Sequence, residues 1–114
     1  MAQVIITKEL EKEINKKFKK ESIKIFELMR SLKGNPKKGK EIGHVGSITI
    51  KELRYESFRF YFITDGYRLK LLKQEELSDL LIKFVRMSDK KTQQQTINEI
   101  KEILRSFGDR AFED

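Results

Sequence analysis

Residues 53–72 read LRYESFRFYFITDGYRLKLL. Phe58, Phe60 and Phe62 alternate with Arg59 and Tyr61, the period of two that gives a strand one dry and one wet face. Asp65 and Gly66 have the composition of a tight type I′ turn. A hairpin centred there sets Phe62 against Leu69 and Phe60 against Leu71 on one side, and Tyr61 against Lys70 and Ile63 against Arg68 on the other. Arg59, Tyr61, Arg68 and Lys70 then share an outer face. The preceding strand, SITIKELRY (47–55), adds Glu52 and Arg54 to that face if Leu53 and Tyr55 point inward. Ile48 and Ile50 have the opposite parity, which predicts a bulge near Lys51.

Upstream, QVIIT (3–7) is β-branched and short, so it reads as a strand, and Thr7 is placed to cap a following helix. Leu10, Ile14 and Phe18 recur at every fourth position, a narrow apolar stripe. Ser22 marks a second start, and Ile25, Phe26, Met29 and Leu32 widen the stripe before Gly34 and Pro36 end it. Two helices, or one bent helix, fill residues 8–33. KKGKEIGHVG (37–46) is too punctuated for a long regular element and reads as an exposed basic loop around, at most, a short strand. No phosphate-cradling glycine motif is present there.

Downstream, Leu77, Leu80, Leu81, Phe84 and Met87 fit a helical face, yet LLIKFV (80–85) is equally a buried strand, and periodicity does not decide between them. Thr92 and Gln95 have capping-box spacing, and Ile97, Ile100, Leu104 and Phe107 line one side of a last helix that Gly108 ends. A loose acidic tail is expected after it.

At 114 residues the chain has the length of one domain, spanning 1–114. There is no cysteine and only one histidine, His44, which removes disulfides, thiolate nucleophiles, thiolate zinc sites and histidine clusters. No apolar run suits a signal peptide or a membrane span, so a soluble, cytoplasmic protein is expected. The formal charge of +7 points to an anionic partner.

Four features in order carry a resemblance. They are Asn35, Pro36, Gly39 and Lys40 after the helix pair; Glu52, Leu53 and Arg54 at a strand end; Phe58 and Arg59 opening the next strand; and Arg86 with Lys90 and Lys91 after a final strand. This order resembles the RelE/HigB/ParE superfamily of toxin-antitoxin toxins over nearly the whole chain. The resemblance implies an α+β fold in which an N-terminal strand and helix pair pack on a twisted, mostly antiparallel four- or five-stranded sheet, with a C-terminal helix. It also implies that residues 80–87 are the last strand. Its implied activity is endoribonuclease cleavage of mRNA, ribosome-dependent, without cofactor or metal. Its implied partners are mRNA, the ribosome and an acidic antitoxin, the chain being a monomer or part of a toxin-antitoxin hetero-oligomer, with no membrane role. The chain departs from the family in carrying LLKQEELSD (71–79) before the last strand, in lacking a C-terminal Tyr, and in having Glu52 where RelE has a lysine. A non-catalytic RNA- or protein-binding member, or a ParE-like gyrase inhibitor, is compatible with the missing Tyr.

Cleavage through the RNA 2′-hydroxyl needs proton transfer and stabilisation of the extra charge on phosphorus. Arg54, Arg59 and Arg86 offer planar forks matched to phosphate oxygens. Tyr61, if arginines lower its pKa, and Glu52 are the candidates for proton transfer, with His44 behind them. Lys37, Lys38, Lys40, Lys51, Lys83, Lys90 and Lys91, with Arg68 and Lys70, are the expected RNA-backbone contacts. The plain alternative is a solvated sheet face on which Arg54 and Arg59 pair with Glu52 and Glu56.

Overall fold

A computed structural model describes residues 1–112 as an α+β fold. The order is β1 (Gln3–Ile6), α1 (Lys8–Phe18), α2 (Ser22–Arg30), β2 (Lys40–Val45), β3 (Ile48–Tyr55), β4 (Phe58–Asp65), α3 (Gly66–Leu71), β5 (Leu81–Ser88) and α4 (Gln93–Phe107). The strands make one five-stranded sheet in the order β1-β5-β4-β3-β2, antiparallel except for β1 beside β5. The ambiguous segment is therefore a strand, one residue further along than expected.

Local chemistry explains the first half. The Thr7 Oγ1 accepts from the Leu10 N–H at 3.2 Å and starts α1. Lys19, in the left-handed region at φ 51°, breaks the helix pair apart. Ser22 does not cap α2 with its side chain; its buried hydroxyl donates to the Ile14 carbonyl at 3.1 Å and ties the two helices together. Leu10, Ile14, Ile25, Met29 and Leu32 then bury against Leu53, Phe60, Phe62, Ile82 and Phe84 of the sheet. Gly34 ends the helical stretch at φ −93°, so it is not the left-handed cap its position suggests.

The other face of the sheet is also dry. Ile48, Ile50, Tyr61 and Ile63 pack against Ile97, Ile100 and Leu104 of α4. Strands covered on both faces lose the polar alternation of a half-solvated sheet. This accounts for the opposed parities of β3, because Leu53 belongs to one core and Ile48 and Ile50 to the other. β3 itself carries no bulge at Lys51 and pairs with β4 without interruption from Ile48↔Asp65 to Tyr55↔Phe58. The irregularity expected near Lys51 falls in the strand beside it, where Ile42 of β2 is the extra residue opposite the Ile50–Lys51 step. A second lies in β5, where Val85 is the extra residue opposite the Tyr61–Phe62 step.

The expected Asp65-Gly66 hairpin does not form. β4 turns from β3 at Glu56 and Ser57, Glu56 being left-handed at φ 55°. Asp65 instead caps α3, its Oδ1 accepting from the N–H groups of Tyr67 at 3.0 Å and Arg68 at 3.1 Å. An Asp before a Gly supplies an N-cap as readily as a turn. Gly66 is required by proximity, since a Cβ there would meet the Thr49 Cβ at 3.0 Å and the Ser47 carbonyl oxygen at 3.1 Å. The pairings expected of Leu69, Lys70, Leu71 and Arg68 with β4 are consequently absent, these residues lying in α3.

At the C-terminus the Thr92–Gln95 capping box is replaced by Asp89, which accepts from the Thr92 N–H at 2.9 Å and hydroxyl at 3.0 Å. Ile97, Ile100 and Leu104 are buried as expected, whereas Phe107 is exposed. After Gly108 the chain makes a 3-10 turn to Phe112, with Ala111 and Phe112 packed on the second core, so this stretch is not loose. Glu113 and Asp114, the end of the expected acidic tail, lie outside the described residues. No helix of the described residues is long and apolar enough to cross a membrane.

The reassigned turn is directly testable. Asp65→Ala removes a cap and should lower the unfolding free energy by about 1 kcal/mol in urea melts, with Asp65→Asn losing less. Gly66→Ala should also be destabilising, because it drives a Cβ into β3; a neutral Gly66→Ala would contradict this packing.

Candidate nucleic-acid interface

Directly opposed residues in neighbouring strands share a face, so register decides which side chains meet. Lys40, Glu52, Tyr61 and Arg86 form one row across β2, β3, β4 and β5, and Arg54, Arg59 and Ser88 form the next. Both rows lie on the α4 side of the sheet. The α4 core covers the half holding Ile48, Ile50 and Ile63. At the end near the Glu56 turn, the charged group Glu52, Arg54 and Arg59 remains.

Glu52 is the centre of this group. Its side chain is 1% exposed, and its oxygens lie 3.5 Å from the Arg59 Nε and 3.8 Å from the Arg54 Nη2. These are attractions longer than hydrogen bonds. Both Glu52 oxygens and the Arg59 Nε are buried without a hydrogen-bond partner. Arg59 is itself buried, with one long bond from its Nη1 to the Ser57 carbonyl at 3.5 Å. Arg54, in contrast, has a side chain 57% exposed. The group thus holds two guanidiniums against one carboxylate, with one guanidinium facing solvent. The Arg–Glu pairing of the plain alternative is present for Glu52; Glu56 has no ion pair with either arginine among the described residues.

Tyr61 is not the exposed phenol that the outer-face register requires. It is completely buried, and its hydroxyl shares a 2.7 Å hydrogen bond with Ser88. Burial raises its pKa above the usual value, outweighing the Ser88 bond and the nearby arginines. It therefore offers neither a stacking surface nor a phenolate at neutral pH. Glu52 is likewise too enclosed to reach a substrate hydroxyl in this conformation. Ser88 is a neighbour of this group that sequence reading missed, since only the β4–β5 register brings it to Tyr61.

The other cations are scattered. Arg86, half-buried, follows the Val85 bulge and donates from Nη1 to the Val85 carbonyl at 2.8 Å, lining a hollow with Glu99, Glu102 and Phe107 of α4. Lys90 and Lys91 are exposed just beyond Ser88, at the same sheet end as Arg54 and Arg59. Lys40 is exposed and opposite Glu52. Lys37 and Lys38 are exposed on the loop before β2.

Lys51 faces the helix-pair side, donating to the Lys37 carbonyl at 2.9 Å with its ammonium 5.9 Å from the Phe62 ring centroid. Burial lowers its pKa, with Glu41 opposing the shift. It cannot substitute for a lysine at the position of Glu52. Lys83 is buried and donates to the Ala111 carbonyl at 2.9 Å, anchoring the C-terminal turn. Arg68 pairs with Asp79, and Lys70 is exposed on α3, so neither joins Arg59. His44 is opposite Thr49, on the face away from Glu52.

The fold and site thus define an α+β protein with a guanidinium-bearing sheet end around a buried carboxylate. No protein-family model, curated protein or solved structure matches the chain.

Tyr61→Phe should cost about 1 kcal/mol by leaving the buried Ser88 hydroxyl without its partner. The raised Tyr61 pKa favours folding below the unfolded phenol value of about 10, and that contribution is lost as pH rises beyond it. Urea midpoints should accordingly fall less steeply above that pH in Tyr61→Phe than in the parent. Both proteins keep Tyr55, pushed up to about 12 by its hydrogen bond to Glu21.

Proposed function

We propose that this chain is a RelE/HigB-like toxin that grips mRNA phosphates with the Arg54–Arg59 end of its sheet, on the ribosome and in the cytoplasm. The observation that carries the reading is the pair of guanidiniums, one buried and one exposed, held on one face by a single carboxylate. A planar fork facing solvent suits a phosphate. Lys90, Lys91 and Lys40 add positional charge around it, and the overall charge of +7 favours an anionic partner. The order of elements and the quoted motifs support the family resemblance. An acidic antitoxin would neutralise the same basic end.

Cleavage is the activity the resemblance implies, with Arg54, Arg59 and Arg86 stabilising charge on phosphorus. A specific observation favours a second reading, a non-catalytic RNA-binding member of the same fold. Tyr61 and Glu52, the leading proton-transfer candidates, are both buried.

The test compares the parent with Arg54→Ala and Arg86→Ala in ribosome-dependent mRNA cleavage and in single-stranded RNA binding. Arg54→Ala is the clean variant, because Arg59→Ala would strand the buried Glu52 charge and cost about 3–5 kcal/mol of stability. Losing one phosphate contact should reduce the salt slope of binding by roughly 0.7. Cutting by the parent that both substitutions weaken supports the toxin. Binding without cutting supports the second reading, and a parent that neither binds nor cuts contradicts both.

A further inference from the structure

Glu52 presents a physical puzzle. A buried carboxylate is costly unless its oxygens are hydrogen-bonded, yet neither Glu52 oxygen has such a partner. Its attractions to Arg59 at 3.5 Å and Arg54 at 3.8 Å are loose. The Arg59 Nε, also buried, spends its N–H on no hydrogen bond. A stability element would close these distances. Glu52 is also too enclosed to serve as a base. What its position does accomplish is to set one negative charge against two guanidiniums, opposite Lys40 and beside the Tyr61 phenol.

We propose that Glu52 is a built-in counter-ion that occupies the arginine pair electrostatically, so that an RNA-backbone phosphate must compete with it for Arg54. This rests on the reading of the sheet end as an RNA-binding surface and assigns Glu52 the role of setting its affinity. Without RNA, the carboxylate keeps two like-charged guanidiniums together on adjacent strands. With RNA, the exposed Arg54 fork turns from a partner at 3.8 Å to phosphate oxygens at hydrogen-bond distance. Arg59 stays buried on Glu52 and holds it in place. Glu52 is thus a positioning residue whose charge weakens phosphate binding, the opposite of what a catalytic carboxylate or a purely structural ion pair predicts.

The probes are a fluorescent single-stranded RNA oligonucleotide, read by anisotropy over a salt series, and inorganic phosphate as competitor. Glu52→Gln keeps the shape and removes the charge, so RNA binding should tighten on the order of tenfold, the effect of deleting one nearby negative charge at surface dielectric. The salt slope should stay close to the parent's, because Arg54 meets phosphate in both complexes and only the cost of drawing it from Glu52 is removed. Adding Arg54→Ala to Glu52→Gln should cancel the gain. Glu52→Asp, which withdraws the charge by one methylene, covers the case in which the Gln variant does not fold, and should bind between parent and Gln levels. A folded variant that binds RNA no tighter than a binding parent overturns this proposal alone. A gain that survives Arg54→Ala, or a gain toward inorganic phosphate with RNA unchanged, also overturns it. Failure of the parent and every variant to bind RNA removes both this proposal and the function on which it rests.

Discussion

The structure depends on β4 being dry on both faces. Phe60 and Phe62 enter the helix-pair core, while Tyr61 and Ile63 enter the core under α4. A strand of this kind leaves no room for polar side chains along its middle, because each unpaired polar group would be buried at a cost. Tyr61 meets this constraint by giving its hydroxyl to Ser88. Thr64 meets it by donating to the Leu81 carbonyl at 2.8 Å. Arg59, near the strand's open end, is the charged residue beside this apolar middle, and Glu52 and Arg54 of β3 lie next to it.

From that constraint the location of the site follows. α4 seals the sheet where Ile48, Ile50 and Ile63 lie, and the helix pair seals the opposite face. The charged side chains Glu52, Arg54 and Arg59 of the central strands β3 and β4 are therefore gathered at one sheet end on the α4 side. Glu52 sits where the sealed region meets this end. Its neighbours Arg54 and Arg59 come from strands joined by the Glu56–Ser57 turn, so a local hairpin assembles the group. Residues distant in sequence contribute through register: Ser88 from β5 and Lys40 from β2.

Much of the fold was legible in the residues. Thr7 caps, the Leu10–Ile14 and Ile25–Met29 stripes are buried, and the strands around Ile50, Phe60 and Phe84 form. The errors cluster where one local signal serves two geometries. Asp65-Gly66 satisfies a type I′ turn and a helix cap alike, and the choice was made by Gly66 pressing on Ser47 and Thr49, contacts no local window contains. The Thr92–Gln95 box yielded to Asp89 for a local reason instead, since a carboxylate three residues earlier is the stronger acceptor for the Thr92 N–H and hydroxyl. Of the site, the adjacency of Arg54, Arg59 and Glu52 was readable from strand alternation. The burial of Tyr61 was not, because it requires knowing that α4 returns to the same face. Lys51 and Lys83 read as surface cations, yet both ammonium groups are spent on backbone carbonyls.

The central claim is that phosphate is met by Arg54 at the sheet end while Arg59 remains seated on Glu52. The most direct measurement is a titration of isotope-labelled protein with a short single-stranded RNA, following the arginine Nε–Hε resonances. The Arg54 signal should move strongly and the Arg59 signal should shift while remaining protected from exchange. Unmoved Arg54 and Arg59 signals, with changes confined to α3 or to the helix pair, would contradict the claim.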